Sequence, residues 1–151
     1  MLYSGPKERG RFVKVTFAVA CDFANRSDGG KLNIVGIFNE LYSTEFPYVR
    51  PEIYVVVGYE ATVAEEGQTK HIRVVLLKPD NPDPEIVSIE GVYTVRLPTY
   101  PGRPRYVNSI FHLPQVEFPE PGDYAFHVLI GGDDRERVPV HVYNPQDLRQ
   151  E

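Results

Sequence analysis

A single cysteine, Cys21, supplies all the thiol chemistry of this 151-residue chain. One cysteine cannot form an internal disulfide, which fits a reducing compartment. A basic surplus is missing too: the formal charge is −5, whereas broad binding to nucleic acid needs an excess of Lys and Arg to displace counterions. Long apolar runs are also absent. In the stretch from Val13 to Cys21 the run is interrupted by Lys14 and Thr16, with Arg11 just ahead of it. A secretory segment ending at a lipidated cysteine needs a longer apolar stretch, and Ala18 stands where such a signal prefers Leu or Val. No window of a dozen residues repeats with a helical period, and fourteen prolines leave little space for a long helix. There is no P-loop, no Rossmann glycine fingerprint and no Gly-x-Ser-x-Gly elbow around Ser4, Ser27, Ser43, Ser88 or Ser109. The commonest nucleotide-binding and acyl-transfer signatures are therefore absent.

What the chain does have is alternation. Val13, Val15, Phe17, Val19 and Cys21 fall on one face of an extended segment, against Lys14, Thr16, Ala18 and Ala20 on the other. That is the period of a half-buried strand, and it predicts Cys21 as a small inward hydrophobe. Similar β-rich runs follow at Lys31–Ser43, Glu52–Ala61, Thr69–Lys78, Ile86–Leu97, Arg105–Leu113, Tyr124–Ile130 and Arg137–Tyr143. Between them lie SDGG, FPYVRP, AEEG, PDNPDP, PTYPGRP, PEPGD and GGDD, all rich in residues that set turn geometry. The length suits one domain with a sizeable core. The expectation is an all-β chain, a single antiparallel β-sandwich of about eight strands over residues 11–143, between tails at 1–10 and 144–151.

One segment narrows the architecture. In EPGDYAF, Glu120, Gly122, Tyr124 and Phe126 match the acid-x-Gly-x-Tyr pattern of the tyrosine corner of immunoglobulin-like domains, with Phe126 where antibody domains carry a cysteine. Tyr124, Phe126, Val128 and Ile130 are then predicted to face the core against Val138, Val140 and Val142. An immunoglobulin-like or C2-like sandwich is expected. CDFAN, GKLNIVGIF, the FP of FPYVRPEIYVV, VNSI and FPEPGDYAFHVLI, spread from Val13 to Val142, together resemble a family of small bacterial proteins whose function is unknown. The resemblance implies a soluble bacterial β-sandwich and brings no activity, cofactor or catalytic residue. The basic tail ahead of Arg11 departs from that family.

Several constellations could carry chemistry. Asp22, Asn25 and Asp28 sit in the turn DFANRSDGGK, with a spacing that fails the EF-hand pattern. If strands cross the sandwich in alternate senses, Asp22, Asp28, Glu65, Glu66, Asp133 and Asp134 share one end, as a C2-like calcium module would need. The plainer expectation is turn chemistry at Asn25 and Asp28 and solvated loop tips for the rest. His127 and His141 are expected on neighbouring strands, on the face away from the core, where one register sets them directly across from each other, without a third ligand to hold zinc. His71 and His112 complete the histidines. Neither a metal, a cofactor nor a catalytic residue is expected.

The remaining candidate is PTYPGRPRY, where prolines stiffen a loop bearing Tyr100, Arg103, Arg105 and Tyr106. Tyr and Arg are enriched at interaction hot spots, and prolines lower the entropy of fixing a loop. The plain alternative is that these arginines pair with the acidic tips at the same end. The functional expectation is a non-enzymatic binding or assembly module of the bacterial cytoplasm. Its partner is another protein or a second copy, with no nucleic acid and no membrane. The rivals are a calcium-dependent C2-like module and a small hydrolase using loop carboxylates.

Overall fold

The computed structural model describes residues 14–96 and 100–150, with backbone alone at 149 and 150. The expected tail 1–10, the beginning of the first run, Leu97 at the end of the run from Ile86, and Pro98 and Thr99 of the stiffened loop lie outside the described residues. Among the described residues nine strands follow one another: β1 (Lys14–Arg26), β2 (Leu32–Ile37), β3 (Glu40–Tyr42), β4 (Tyr48–Ala61), β5 (Thr69–Leu77), β6 (Val87–Thr94), β7 (Arg105–Phe118), β8 (Gly122–Ile130) and β9 (Asp133–Tyr143). Short 3-10 turns occur at Val63–Glu65 and, within the expected C-terminal tail, at Asp147–Gln150. The strands form two sheets, ordered β2-β1-β4-β7 and β3-β9-β8-β5-β6.

The two sheets face each other across one core. Val55, Val57 and Tyr59 of β4 and Phe111 and Leu113 of β7 meet Ile72, Val74 and Leu76 of β5. Tyr124, Phe126, Val128 and Ile130 of β8 join Val138, Val140 and Val142 of β9 in the same core, as their alternation predicts. The tyrosine corner is formed as well. The Tyr124 hydroxyl donates to the Glu120 carbonyl at 2.6 Å, and its ring packs edge-on against Phe118 with centroids 5.1 Å apart. This ties the β7–β8 connection to the first turn of β8.

Two expectations change. The run 31–43, expected as one strand, divides between the sheets: β2 pairs with β1, whereas β3 runs parallel to β9. Gly36 allows this division. It adopts φ +71° opposite Asp22, and a Cβ there would collide with the Asp22 carboxylate. Beyond it the chain crosses to the other sheet, giving nine strands and one parallel pair where an antiparallel arrangement of about eight was expected.

The second change concerns β1. Its register with β4 slips between Val15 and Phe17, and one extra residue exchanges the two faces of a strand from that point on. Ala18 and Ala20, expected outside, pack into the core between the sheets. Phe17, Val19 and Cys21, expected inside, lie on the outer face of the β1–β4–β7 sheet in a second cluster with Ala24, Val56, Tyr54, Leu32, Ile34 and Ile110. Cys21 is buried as expected, but beneath a different roof. That roof is the β1–β2 hairpin. Beyond Cys21 it leaves the edge of β4 and folds across the outer face. Phe23 lies edge-on over Tyr54 with centroids 5.3 Å apart, and the Arg26 guanidinium donates to the Asn108 carbonyl on β7. Gly58, opposite Phe17 in the β1–β4 ladder, makes space for the Phe17 ring on the same outer face, since a Cβ there would run into it.

Candidate interaction surface

One end of the sandwich gathers three connections. β4 finishes beside the start of β7, with Ala61 opposite Arg105. The Gly67 amide donates to the Val95 carbonyl and the Gly131 amide to the His71 carbonyl, both at 2.9 Å. The described part of the stiffened loop therefore lies at the same end as Glu65, Glu66, Asp133 and Asp134, as loop alternation predicts. Asp22 does not belong there. Asp22 is within β1 and pairs with Arg50 at 2.5 Å, and Asp28 sits in the hairpin turn.

The acidic residues are separately engaged rather than pooled. Glu65, expected as a solvated tip, is fully buried: its carboxylate accepts from the Thr62 amide at 2.9 Å and lies 3.1 Å from the Lys70 ammonium. This closes the short turn after β4, because a buried carboxylate is tolerated only with donors around it. Asp133 pairs with Arg135 at 3.5 Å, and Asp134 lies 2.8 Å from His127 Nδ1. Asn25 accepts from the Asn33 amide group at 3.2 Å. Among the described residues no three His, Cys, Asp or Glu side chains converge.

The histidines are not paired across strands. His127 lies opposite Arg137 and His141 opposite Asp123, so the β8–β9 register separates them. Both do face away from the core valines. Each finds a carboxylate: Asp134, expected only as a loop tip, for His127, and Asp123, at 2.7 Å, for His141. His112 stacks on Tyr54 and lies 3.2 Å from Glu52. At the open side between β6 and β7, a cleft of about 400 Å³ is lined by Arg26, Ile89, Gly91, Ser109 and Phe111. The Ser109 hydroxyl in it bonds the Tyr59 hydroxyl at 2.9 Å rather than an imidazole, so this serine lacks the base that a nucleophile requires.

Cys21 likewise lacks the setting of a reactive thiol. Its Sγ is 3.5 Å from the Phe23 carbonyl and 3.6 Å from that of Tyr54. Burial, assisted by the charge of Asp22, pushes its pKa up. A thiol held in its protonated form is a poor nucleophile.

The Tyr and Arg residues present a different picture. Tyr100 is 71% exposed and Tyr106 68% exposed, and Arg103 and Arg105 are also exposed. Neither arginine is ion-paired with another described residue, so the plain expectation that they pair with the acidic tips is not realised. Gly102 sets the bend between Tyr100 and Arg103 with φ +78°. Arg105 and Tyr106 are consecutive strand residues and point to opposite faces, so the four do not form one flat patch. Tyr106 shares the outer face of β7 with Asn108, about 7 Å along the strand. It is there that Arg26 of the hairpin reaches. The exposed tyrosines thus border the hairpin roof, a neighbour that β-strand alternation alone could not reveal.

A nine-stranded β-sandwich with an exposed aromatic and basic rim, and no cluster of metal-ligating side chains among the described residues, is the class that these features define. The chain belongs to a family of unknown function, DUF6941, whose model matches residues 16–143. No curated protein matches it. Among solved structures, it is similar to part of the Pseudomonas fluorescens alkylpurine DNA glycosylase AlkC bound to DNA containing an abasic site analog (13% identity, TM-score 0.44). It is also similar to part of a β-glucosidase from Listeria innocua in complex with isofagomine (12% identity, TM-score 0.44). Each likeness covers 87% of this chain but only 30% and 16% of those chains. No helix among the described residues is long and apolar enough to cross a membrane.

Proposed function

We propose that this protein is a non-catalytic binding module of the bacterial cytoplasm, built as an immunoglobulin-like sandwich, that docks another protein at its Tyr and Arg rim. The immunoglobulin-like reading draws support from the tyrosine corner and from the short strand β3 running parallel to the last strand, β9. The observation that carries the docking reading is the exposure of Tyr100 and Tyr106 beside Arg103, a cation with no acidic partner among the described residues. Large amphipathic rings and an unpaired guanidinium suit an acidic, extended segment of a partner, where Tyr contributes contact area and Arg a directed pair of donors.

The test is the double replacement Tyr100→Ala with Arg103→Ala. Thermal stability should hold, since surface changes of this kind cost within about 0.5 kcal/mol. Affinity capture with the parent should retain a partner in a salt-sensitive manner, and the double variant should lose it. A parent that retains nothing specific, or a variant that retains the same proteins, removes this reading.

A further inference from the structure

Four strands form the free edges of the two sheets: β2 and β7 in one, β3 and β6 in the other. A free edge offers unpaired main-chain donors and acceptors to any extended chain, and proteins guard such edges with charge, proline, bulges or brevity. Strand β3 is three residues long and begins with Glu40. Strand β6 carries Glu90 in its middle. Strand β7 carries Arg105 and Glu117 and is interrupted by Pro114 and by Gln115 at φ +51°, and its Asn108 carbonyl is taken by Arg26. Strand β2, LNIVGI, is the least guarded of the four, its one irregularity being Gly36 at φ +71° beside its last residue. It holds no charge and no proline, keeps one register with β1 throughout and is paired among the described residues with β1 alone.

Its exposed face adds a second observation. Val35 and Ile37 are each 58% exposed, and Phe23, directly opposite Val35 on β1, is 43% exposed. Leu32 and Ile34 meanwhile pack beneath the hairpin and hold the strand in place. The result is an anchored, uncharged edge with an apolar stripe beside it.

We propose that β2 is a self-association edge, on which two copies of this chain pair β2 with β2 in antiparallel fashion about a two-fold axis perpendicular to the sheet. The two β1–β2 hairpins then form one four-stranded antiparallel layer. A second copy is the occupant that this edge fits. A two-fold axis sets each strand against itself, which a charged strand resists by facing its own charge, while Leu32–Ile37 meets no like charge in any register. The axis also keeps the same face outward in both copies, so the Phe23, Val35 and Ile37 stripe of one continues into that of the other. Six residues a side make a small interface, so the dimer is expected to be weak, at micromolar rather than nanomolar concentrations. This proposal stands apart from the Tyr and Arg rim and does not depend on it.

Sedimentation velocity of the full chain, from low micromolar to near-millimolar protein, should show reversible monomer–dimer exchange. Over the same range, hydrogen exchange at the amides of Asn33 to Ile37 should slow while that of β6 stays constant. Val35→Lys and Val35→Glu should each sediment as monomers with unchanged melting, and an equimolar mixture of the two should restore the dimer. A parent that stays monomeric throughout, single variants that associate as the parent does, or protection arising at another edge would each overturn the proposal. If a Val35 variant does not fold, the concentration dependence of exchange in the parent decides alone.

Discussion

The two faces of the β1–β4–β7 sheet carry hydrophobic clusters of different kinds. The inner face packs against a whole second sheet, and its members, such as Val55, Val57 and Tyr59, are almost completely buried. The outer face is roofed only by a bent hairpin. Its cluster has three buried residues, Cys21, Ala24 and Val56, within a ring of half-buried ones. The first is a core closed by long-range pairing of strands distant in sequence. The second is closed by a local element held by the Phe23–Tyr54 ring contact, the Arg26 hydrogen bond to Asn108, the Asp22–Arg50 ion pair and its own apolar positions. Few buried contacts and an exposed backbone mark the parts of a protein that open first, so the hairpin should open independently of the sandwich beneath it.

The sharpest way to break that comparison is to damage the inner core alone. Phe126→Ala empties a fully buried position between the sheets and should cost about 3–5 kcal/mol. Urea denaturation should record this as one cooperative loss of hairpin and sandwich together. A melt in which the hairpin survives would show that the two clusters do not share the sheet as a common support.

Gly58→Ala tests the opposite side. The added methyl meets the Phe17 ring, and forcing an extra carbon into a packed site typically costs about 1–3 kcal/mol. The loss should be local. Hydrogen exchange should accelerate in β1 and β2 while β5 and β8 remain protected, and uniform acceleration throughout the sandwich would contradict the division into two clusters.

The smallest effect, and the most direct reading of the hairpin, is thiol labelling of Cys21. Native protein should react slowly and urea-unfolded protein quickly, because the thiol is covered and its pKa is raised by burial. The sign of the pH dependence follows. The folded thiol keeps its proton after the unfolded one has lost it. Its contribution to stability is therefore full below the unfolded pKa and declines as pH rises through the folded one. Native labelling as fast as in urea would mean that the hairpin does not close over Cys21.

Most of the sandwich could be read before the structure. Strands β4 to β9 begin and end near the expected turns, and the tyrosine corner forms the bond that its spacing implies. The exposure of Tyr100 and Arg103 was legible too, since a proline-rich loop resists pairing, whereas Arg105 and Tyr106 are drawn into β7 and remain exposed at its start. What could not be read was anything depending on how one strand is set against another. A one-residue slip near Thr16 reversed the faces of β1, leaving composition and alternation unchanged. The same limit separated His127 from His141, which only the β8–β9 register could do. Glu65 looked like a solvated tip because its partners, Thr62 and Lys70, are polar residues that any loop might carry.

Residue chemistry by itself determined that this chain is an all-β domain with one unbridged thiol, no charge surplus for nucleic acid and turns where glycine, proline and aspartate demand them. These are local consequences of side-chain size, backbone restriction and charge, and they act wherever the residues stand. Tertiary structure alone decided that the first hairpin bends across the outer face to bury Cys21, that Arg26 reaches β7, and that β2 is left as the least guarded edge. Those outcomes depend on bulges, registers and the space over Gly58, where the free energy lies in contacts between segments that the sequence holds far apart.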